Sequence, residues 1–295
     1  MKFIKLYWLY LLSFIVFLGV VVLSVNDVVK TRDKSYDSLV NSYNKYCTLI
    51  TEERRNACLE WKREIDNGYS GIILYQETIV NKYFPKGIIY VLFIIVPGCY
   101  LITKYFKDRV ILSENNRRSY AKNLFSVFKK SYIVSLIPSI VLLLVFIYYF
   151  KYSGRFSLFD YELGSIVWNS INNPWVFILV YLINIIITNL IYINVCILIS
   201  RKYHNYFVSV ILSFLTIIGV ELFLEIVIDG IVLGNIFNVD YGILFNIINA
   251  IPFNDSYGIV WPVVFSLGMN MVIMFIIYLV YRNKEKLIID VEKNG

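Results

Sequence analysis

Three acidic side chains stand at four-residue intervals in one of the most apolar stretches of this chain. They are Glu221, Glu225 and Asp229, and Leu222, Phe223, Ile226, Val227 and Ile228 lie among them. On an α-helix that spacing lines them along one face, advancing about 40° per step. A charge at the centre of a bilayer costs about 2.5–3.5 kcal/mol on insertion scales. The acids are therefore expected to face a bundle interior, a water-filled cavity or a subunit interface. Three chemistries suit them. They can line a transport pathway that attracts cations or a cationic substrate, or bind a proton or sodium ion with at least one acid protonated at neutral pH. Alternatively the helix ends near Glu221 and the lower acids sit solvated in a vestibule. Asn184, Thr188 and Asn189, in the preceding apolar segment, are candidate pathway partners; neutral groups of this kind contribute about 0.6–2 kcal/mol each across helices.

The nucleophiles and metal-ligating groups are few: four cysteines and one histidine, His204. Cys47 and Cys58 fall in a segment, 36–66, where apolar residues recur at helical spacing: Leu39, Tyr43, Tyr46 and Ile50, then Ala57, Trp61 and Ile65. Thr51 followed by Glu52 and Glu53 reads as a helix start, an N-cap with acids on the first turn. Asn67-Gly68 reads as its stop. The pattern predicts a small helical hairpin with one cysteine on each arm. Outside the cytoplasm such a pair is a candidate disulfide, stabilising by roughly 3 kcal/mol for a loop of this size; two free thiols are the alternative. Cys99 and Cys196 fall in apolar segments and read as filler. The cysteine spacing offers no zinc site, and no metal is expected. No G-x-x-x-x-G-K-[ST], G-x-S-x-G or H-E-x-x-H motif occurs. Glu52-Glu53 before Arg54-Arg55 resembles the double-glutamate motif of membrane-embedded CAAX-type proteases, without the histidines that complete such a site. The chain is therefore expected to hold no catalytic residue, to be no enzyme, and to carry no cofactor of its own.

The elements that position these groups follow from composition. The 295 residues are 58% hydrophobic and 17% charged, with a mean hydropathy of +0.65; a soluble domain is about 45–50% apolar and about 25% charged. Disorder, collagen-like sequence and a disulfide-stapled miniprotein are excluded by the same figures. A helix needs roughly 20 apolar residues to cross a bilayer. Six segments qualify, at about 6–25, 87–105 (with Pro97-Gly98), 132–150 (with Pro138), 174–200, 206–233 and 261–281. The first is longer than a signal-peptide core and lacks a small-x-small cleavage site, so it reads as an uncleaved anchor. The expected fold is an all-α polytopic membrane protein with six transmembrane helices and a small helical extracellular domain between spans 1 and 2. Its parts are a cytoplasmic N-terminus with the first span (1–25), the outer domain (26–86), a five-helix bundle (87–281) with a cytoplasmic loop at 106–130, and a cytoplasmic tail (282–295).

Lys and Arg placement sets the orientation. With both termini inside, the cytoplasmic segments hold 16 basic residues against five acids; the outer segments hold 12 against 13, most of them in the long 26–86 stretch. The net charge of +7 thus resolves into +11 inside, −1 outside and −3 in the fifth span. Both termini are expected in the cytoplasm, in a multi-pass protein of the bacterial cytoplasmic membrane. The lipid bilayer is a partner, and no nucleic acid is expected.

Between spans 2 and 3, Ser113 reads as an N-cap with Glu114 on the first turn. Tyr120, Leu124 and Phe128 repeat every four residues, with Arg117, Arg118, Lys122 and Asn123 on the polar side and Phe125 following. This predicts a short amphipathic helix at the cytoplasmic surface; attraction of an interfacial helix to anionic lipid is its plain reading. At this point the layout resembles the type-2 membrane permeases of ATP-binding-cassette (ABC) exporters. Ser113 and Glu114 look like the opening of that family's coupling helix, and Lys129-Lys130 like its close. The enlarged first outer loop is similar to one subgroup, and Asn246–Gly258 with Pro252 looks like the family's re-entrant outer helices. The usual Gly-Thr after the acidic residue is replaced by Asn116-Arg117-Arg118.

The resemblance implies separate ABC ATPase subunits that bind ATP and Mg, and a second permease copy in a homo- or heterodimer. Residues Ser113, Glu114, Arg117, Arg118, Tyr120, Lys122, Leu124 and Phe125 would form the coupling helix. The implied function is export of a hydrophobic or cationic amphipathic substrate, such as a peptide, lipid or drug. The alternative from another class is a stand-alone immunity or sensor protein whose outer hairpin captures a toxin or peptide. A secondary transporter driven through the acids is a third, with no inverted repeat visible for it.

Overall fold

A computed structural model describes residues 2–47, 55–67, 71–80, 88–107, 120–153, 174–236 and 260–282, and every regular element among them is helical. Helix α1 runs from Lys2 to Tyr46, 45 residues without a proline. The first apolar segment and the start of the polar one thus form a single helix, where the sequence pattern suggests a span followed by a separate domain. Phe17, Val21, Ser24 and Val28 are its buried positions, spaced four, three and four apart as one face of a helix requires, while Leu11, Ile15 and Val22 are exposed. Helix α2 (Arg55–Asn67) stops at the asparagine of the expected Asn-Gly terminator. Its expected start at Thr51, Glu52 and Glu53 lies outside the described residues. Helix α3 (Gly71–Val80) follows.

Helix α4 (Ile88–Lys107) contains Pro97, and α5 (Tyr120–Ser153) contains Pro138. Helix α6 (Pro174–Lys202) opens on a proline, at a position where the missing N–H would have no partner in any case. Helix α7 (Tyr206–Leu222) is capped by Asn205, whose side-chain oxygen accepts from the N–H groups of Phe207 and Val208 at 3.0 and 3.4 Å. The chain continues from Phe223 to Ile236 as a π-helix, and α8 spans Val260–Tyr281.

Among the described residues five helices are long and apolar enough to cross a bilayer, the architecture of a multi-pass membrane protein. Their apolar segments lie in α1, α5, α6, the α7–π-helix run and α8. Helix α4, expected as the second of six spans, has a shorter apolar part, Tyr90–Phe106.

The chain divides into two compact units. The first comprises Met1–Phe17, Gly87–Val141 and Ile166–Gly295; the second comprises Leu18–Lys86 and Leu142–Ser165. Helices α1 and α5 each contribute one part to each unit. In the first unit α6 is the central element, packed against α4, α7 and α8. Ile191, Tyr192, Ile193, Val195, Cys196 and Ile197 are all buried, so the helix is covered on every side over these turns, while Leu179, Ile183 and Ile186 before them are exposed. It meets α4 closely at Gly98, where an added Cβ would overlap Cδ1 of Ile193.

In the second unit Cys47 and Cys58 form a disulfide, and both are buried. The Tyr46 and Trp61 rings meet edge-on at 6.5 Å beside it. Arg32 holds Glu77 through one guanidinium edge, its Nε donating to Oε2 at 2.8 Å and its Nη2 to Oε1. Thr78 and Tyr149 share a buried hydroxyl–hydroxyl bond of 2.6 Å, and Tyr75 packs edge-on against Phe146 at 5.3 Å. Tyr152 donates to Asp33 at 3.0 Å; partial burial first, and then this bond to an anion, push its pKa upward. The last turns of α5 are therefore structural members of this unit, a role the sequence pattern did not suggest.

Two outcomes test this packing. Removing the disulfide with Cys47→Ser and Cys58→Ser is expected to cost the second unit about 3 kcal/mol, read as faster cleavage of the hairpin in limited proteolysis. Gly98→Ala is expected to lower the melting temperature, Gly98→Leu to lower it further, and Ile193→Val, which removes the obstructing Cδ1, to restore much of the loss in the alanine variant.

Candidate functional site

The first unit holds a closed ring of hydrogen bonds that joins three helices. Tyr90 of α4 donates its hydroxyl proton to Oδ1 of Asn189 on α6 at 3.0 Å. Its oxygen lies 3.0 Å from Oγ of Ser139 on α5, and because the tyrosine has only one proton to give, Ser139 is the donor there. Asn189 completes the ring by donating through Nδ2 to Ser139, and also to the carbonyl of Ser135 at 3.0 Å. Pro138 has no N–H for the Val134 carbonyl, one residue before this acceptor. All three side chains of the ring are buried. A second polar link lies farther along α6: Tyr132 of α5 donates to Asn194, which donates to Asn270 of α8.

The acidic stripe lies on the neighbouring helix. The buried residues of α7 are Ser209, Ser213, Ile217 and Glu221. They recur every four residues, with two small hydroxyls and one carboxylate on the face that packs toward α4 and α6. Ser213 lies 3.5 Å from the thiol of Cys99. Glu221 is only 6% exposed, and it lies within electrostatic reach of Tyr192, itself fully buried on α6.

Beyond Leu222 the expected geometry changes. Hydrogen bonds in a π-helix run from i to i+5 and widen the turn, so four residues there fall short of a full turn instead of overshooting it. The even 40° advance therefore does not extend through Glu225 and Asp229, whose backbones lie in the π-helix and whose side chains lie outside the described residues. The candidate neutral partners are placed elsewhere. The amide of Asn189 is used by Tyr90, Ser135 and Ser139, and Thr188 donates to the Asn184 carbonyl of its own helix at 2.8 Å. Asn184 is buried, and its Oδ1 meets no hydrogen-bond partner among the described residues.

At the lysine-rich end of the same unit, Tyr281 gathers four elements. Its hydroxyl donates to the Ile197 carbonyl at 2.8 Å, and its carbonyl accepts from Tyr120 at 2.9 Å. Its ring stacks on Phe106, meets Phe128 edge-on, and carries the Arg201 guanidinium 5.3 Å from its centroid. His204 stacks on Phe106 and is hydrogen-bonded to the Arg201 carbonyl at 2.9 Å.

The proposed coupling segment is described only in part, since Ser113, Glu114, Arg117 and Arg118 lie outside the described residues, as does Asn246–Gly258. From Tyr120 onward the segment is the first turns of α5 and not a separate short helix. Leu124 is buried there, Lys122 is exposed, and Phe125 is 68% exposed. Asn123, expected on the polar side, is buried beside Leu124, because α5 turns a wide face inward at this end. Tyr90, Ser139, Tyr192 and Tyr281 carry this architecture without having been singled out from sequence. For Ser209 and Ser213 the signal was legible, as the four-residue interval of the acids extended backward.

No protein-family model, curated protein or solved structure matches the chain.

The ring makes a measurable prediction. A double-mutant cycle on Asn189→Ala and Ser139→Ala in detergent or bilayer unfolding is expected to give a coupling energy of about 0.6–2 kcal/mol. Strict additivity would mean that the ring does not bind α5 to α6.

Proposed function

We propose that this chain is the permease subunit of an ATP-driven exporter of the type-2 ABC kind, working with separate ATPase subunits and a second permease copy. The observation that carries this reading is the burial of Glu221 inside a multi-pass helical bundle, on a helix whose inward face is otherwise small hydroxyls and one isoleucine. A carboxylate so costly to place in a bilayer suits a route for a cationic amphipathic or hydrophobic substrate. The π-helix that begins two residues later supports the reading, since such geometry recurs at functional sites in helices. Helix α4 completes six spans: its 20 residues rise about 30 Å, the thickness of the hydrocarbon core. Both termini then lie in the bacterial cytoplasm, and residues 113–125 act as the coupling segment. ATP binding and hydrolysis, with Mg, belong to the partner ATPase.

A second reading, a stand-alone immunity or sensor protein, is favoured by the disulfide-closed hairpin, a rigid surface for capturing a toxin or peptide. The two separate in one experiment. Affinity purification of the tagged chain from native membranes in mild detergent is expected to bring down a soluble ATPase with a G-x-x-x-x-G-K-[ST] loop, about the size of one domain. Repeated purification without such a chain contradicts the permease reading and leaves the hairpin reading in its place.

A further inference from the structure

Two thiols that neither the ring nor the acidic stripe uses stand together inside the first unit. Cys99 belongs to α4 and Cys196 to α6, and each thiol is within hydrogen-bonding reach of the other. Both are fully buried. In the sequence they read as separate apolar filler; the fold makes them a pair. Their helices meet closely at Gly98 and Ile193, so the two sulfurs are carried on packed helices and not on loops.

The groups around the two sulfurs differ. Cys196 donates its S–H toward the Ile95 carbonyl at 4.0 Å. Cys99 is met by hydroxyls instead. Oγ of Ser213 on α7 lies 3.5 Å from its sulfur, and Ser200, one turn beyond Cys196, lies beside the same thiol. Both serines are fully buried, and Oγ of Ser200 makes no closer bond among the described residues. A hydroxyl can donate to a thiolate, whereas a carbonyl only accepts. The surroundings therefore suit a thiolate at Cys99 and a neutral thiol at Cys196.

We infer that Cys99 and Cys196 form a binding site for one soft monovalent metal ion of the copper(I) class. Sulfur ligands select such an ion. Zinc takes four ligands in structural sites, and no three His, Cys, Asp or Glu side chains converge among the described residues. The charge balances as well. Binding forms two metal–sulfur bonds and releases one proton, from Cys99, while Cys196 coordinates as the thiol and keeps its proton on the Ile95 carbonyl. The thiolate cancels the charge of the ion, no oxidation state changes, and the complex is neutral where an uncompensated charge is costly. The hydroxyls of Ser209 and Ser213 lead toward the pair along the inward face of α7 from the Asn205 cap. The site requires neither an ATPase nor a pathway at Glu221, so it stands apart from the permease reading.

Anaerobic titration of the purified full chain with Cu(I), in competition with a chromogenic Cu(I) chelator, tests it, and native mass spectrometry counts the ions. Wild type is expected to take up one Cu(I) per chain, with thiolate-to-copper absorption in the near ultraviolet. Cys99→Ala and Cys196→Ala should each abolish that uptake, although Cys47 and Cys58 remain in both variants. Ser213→Ala keeps both sulfurs and should weaken binding about tenfold, the usual effect of removing a group that supports a metal ligand; it provides the readout should a cysteine variant fail to fold. Absence of uptake by wild type overturns the inference. So do undiminished uptake in a folded cysteine variant, unchanged affinity in Ser213→Ala, and Zn(II) binding as tight as that of Cu(I).

Discussion

Helices in a bilayer gain little from burying apolar side chains against one another, because the lipid that surrounds them is as apolar as they are. What holds this bundle in one arrangement is therefore its few buried polar groups. The ring of Tyr90, Asn189 and Ser139 takes one side chain from each of α4, α6 and α5 and leaves neither the asparagine oxygen nor its amide without a partner. Asn194 repeats the device between α5, α6 and α8. Close packing at Gly98 brings α4 near enough to α6 for the ring to close. Every other feature of the first unit is hung on α6, the helix these bonds fix.

With α6 fixed, α7 has a defined face to turn toward it. Small hydroxyls at Ser209 and Ser213 permit close approach, and Glu221 follows on the same stripe. The carboxylate is thereby kept from lipid, within electrostatic reach of Tyr192. The change to a π-helix two residues beyond Glu221 alters the direction in which Glu225 and Asp229 follow. A helix with wide turns and two internal glycines, Gly230 and Gly234, is one that can tighten.

Much of the fold was legible in the sequence because membrane insertion imposes a length threshold on apolar runs. Five of the six expected spans, the stop at Asn67 and the pairing of Cys47 with Cys58 follow from local pattern. Pairings between helices did not. The sequence pattern offers Asn189 as a partner of the acids, but α6 is buried all round from Ile187 to Ile197, so its periodicity there points to no particular neighbour. Asn123 was read as exposed from a four-residue repeat that takes no account of a broad inward face. The continuation of α1 to Tyr46 was obscured by the fall in hydropathy after Val25, although nothing in those residues breaks a helix. The π-helix leaves no residue signature at all, since it rests on backbone hydrogen bonding alone.

The permease account turns on whether this chain is driven by nucleotide hydrolysis in a partner. The most direct measurement is the ATP hydrolysis rate of the purified assembly in lipid nanodiscs, compared with that of the isolated ATPase and with an assembly carrying Glu114→Ala and Arg117→Ala. The account predicts that hydrolysis depends on the presence of the chain and falls at least tenfold when these coupling residues are removed. Hydrolysis at the same rate in all three preparations would contradict it.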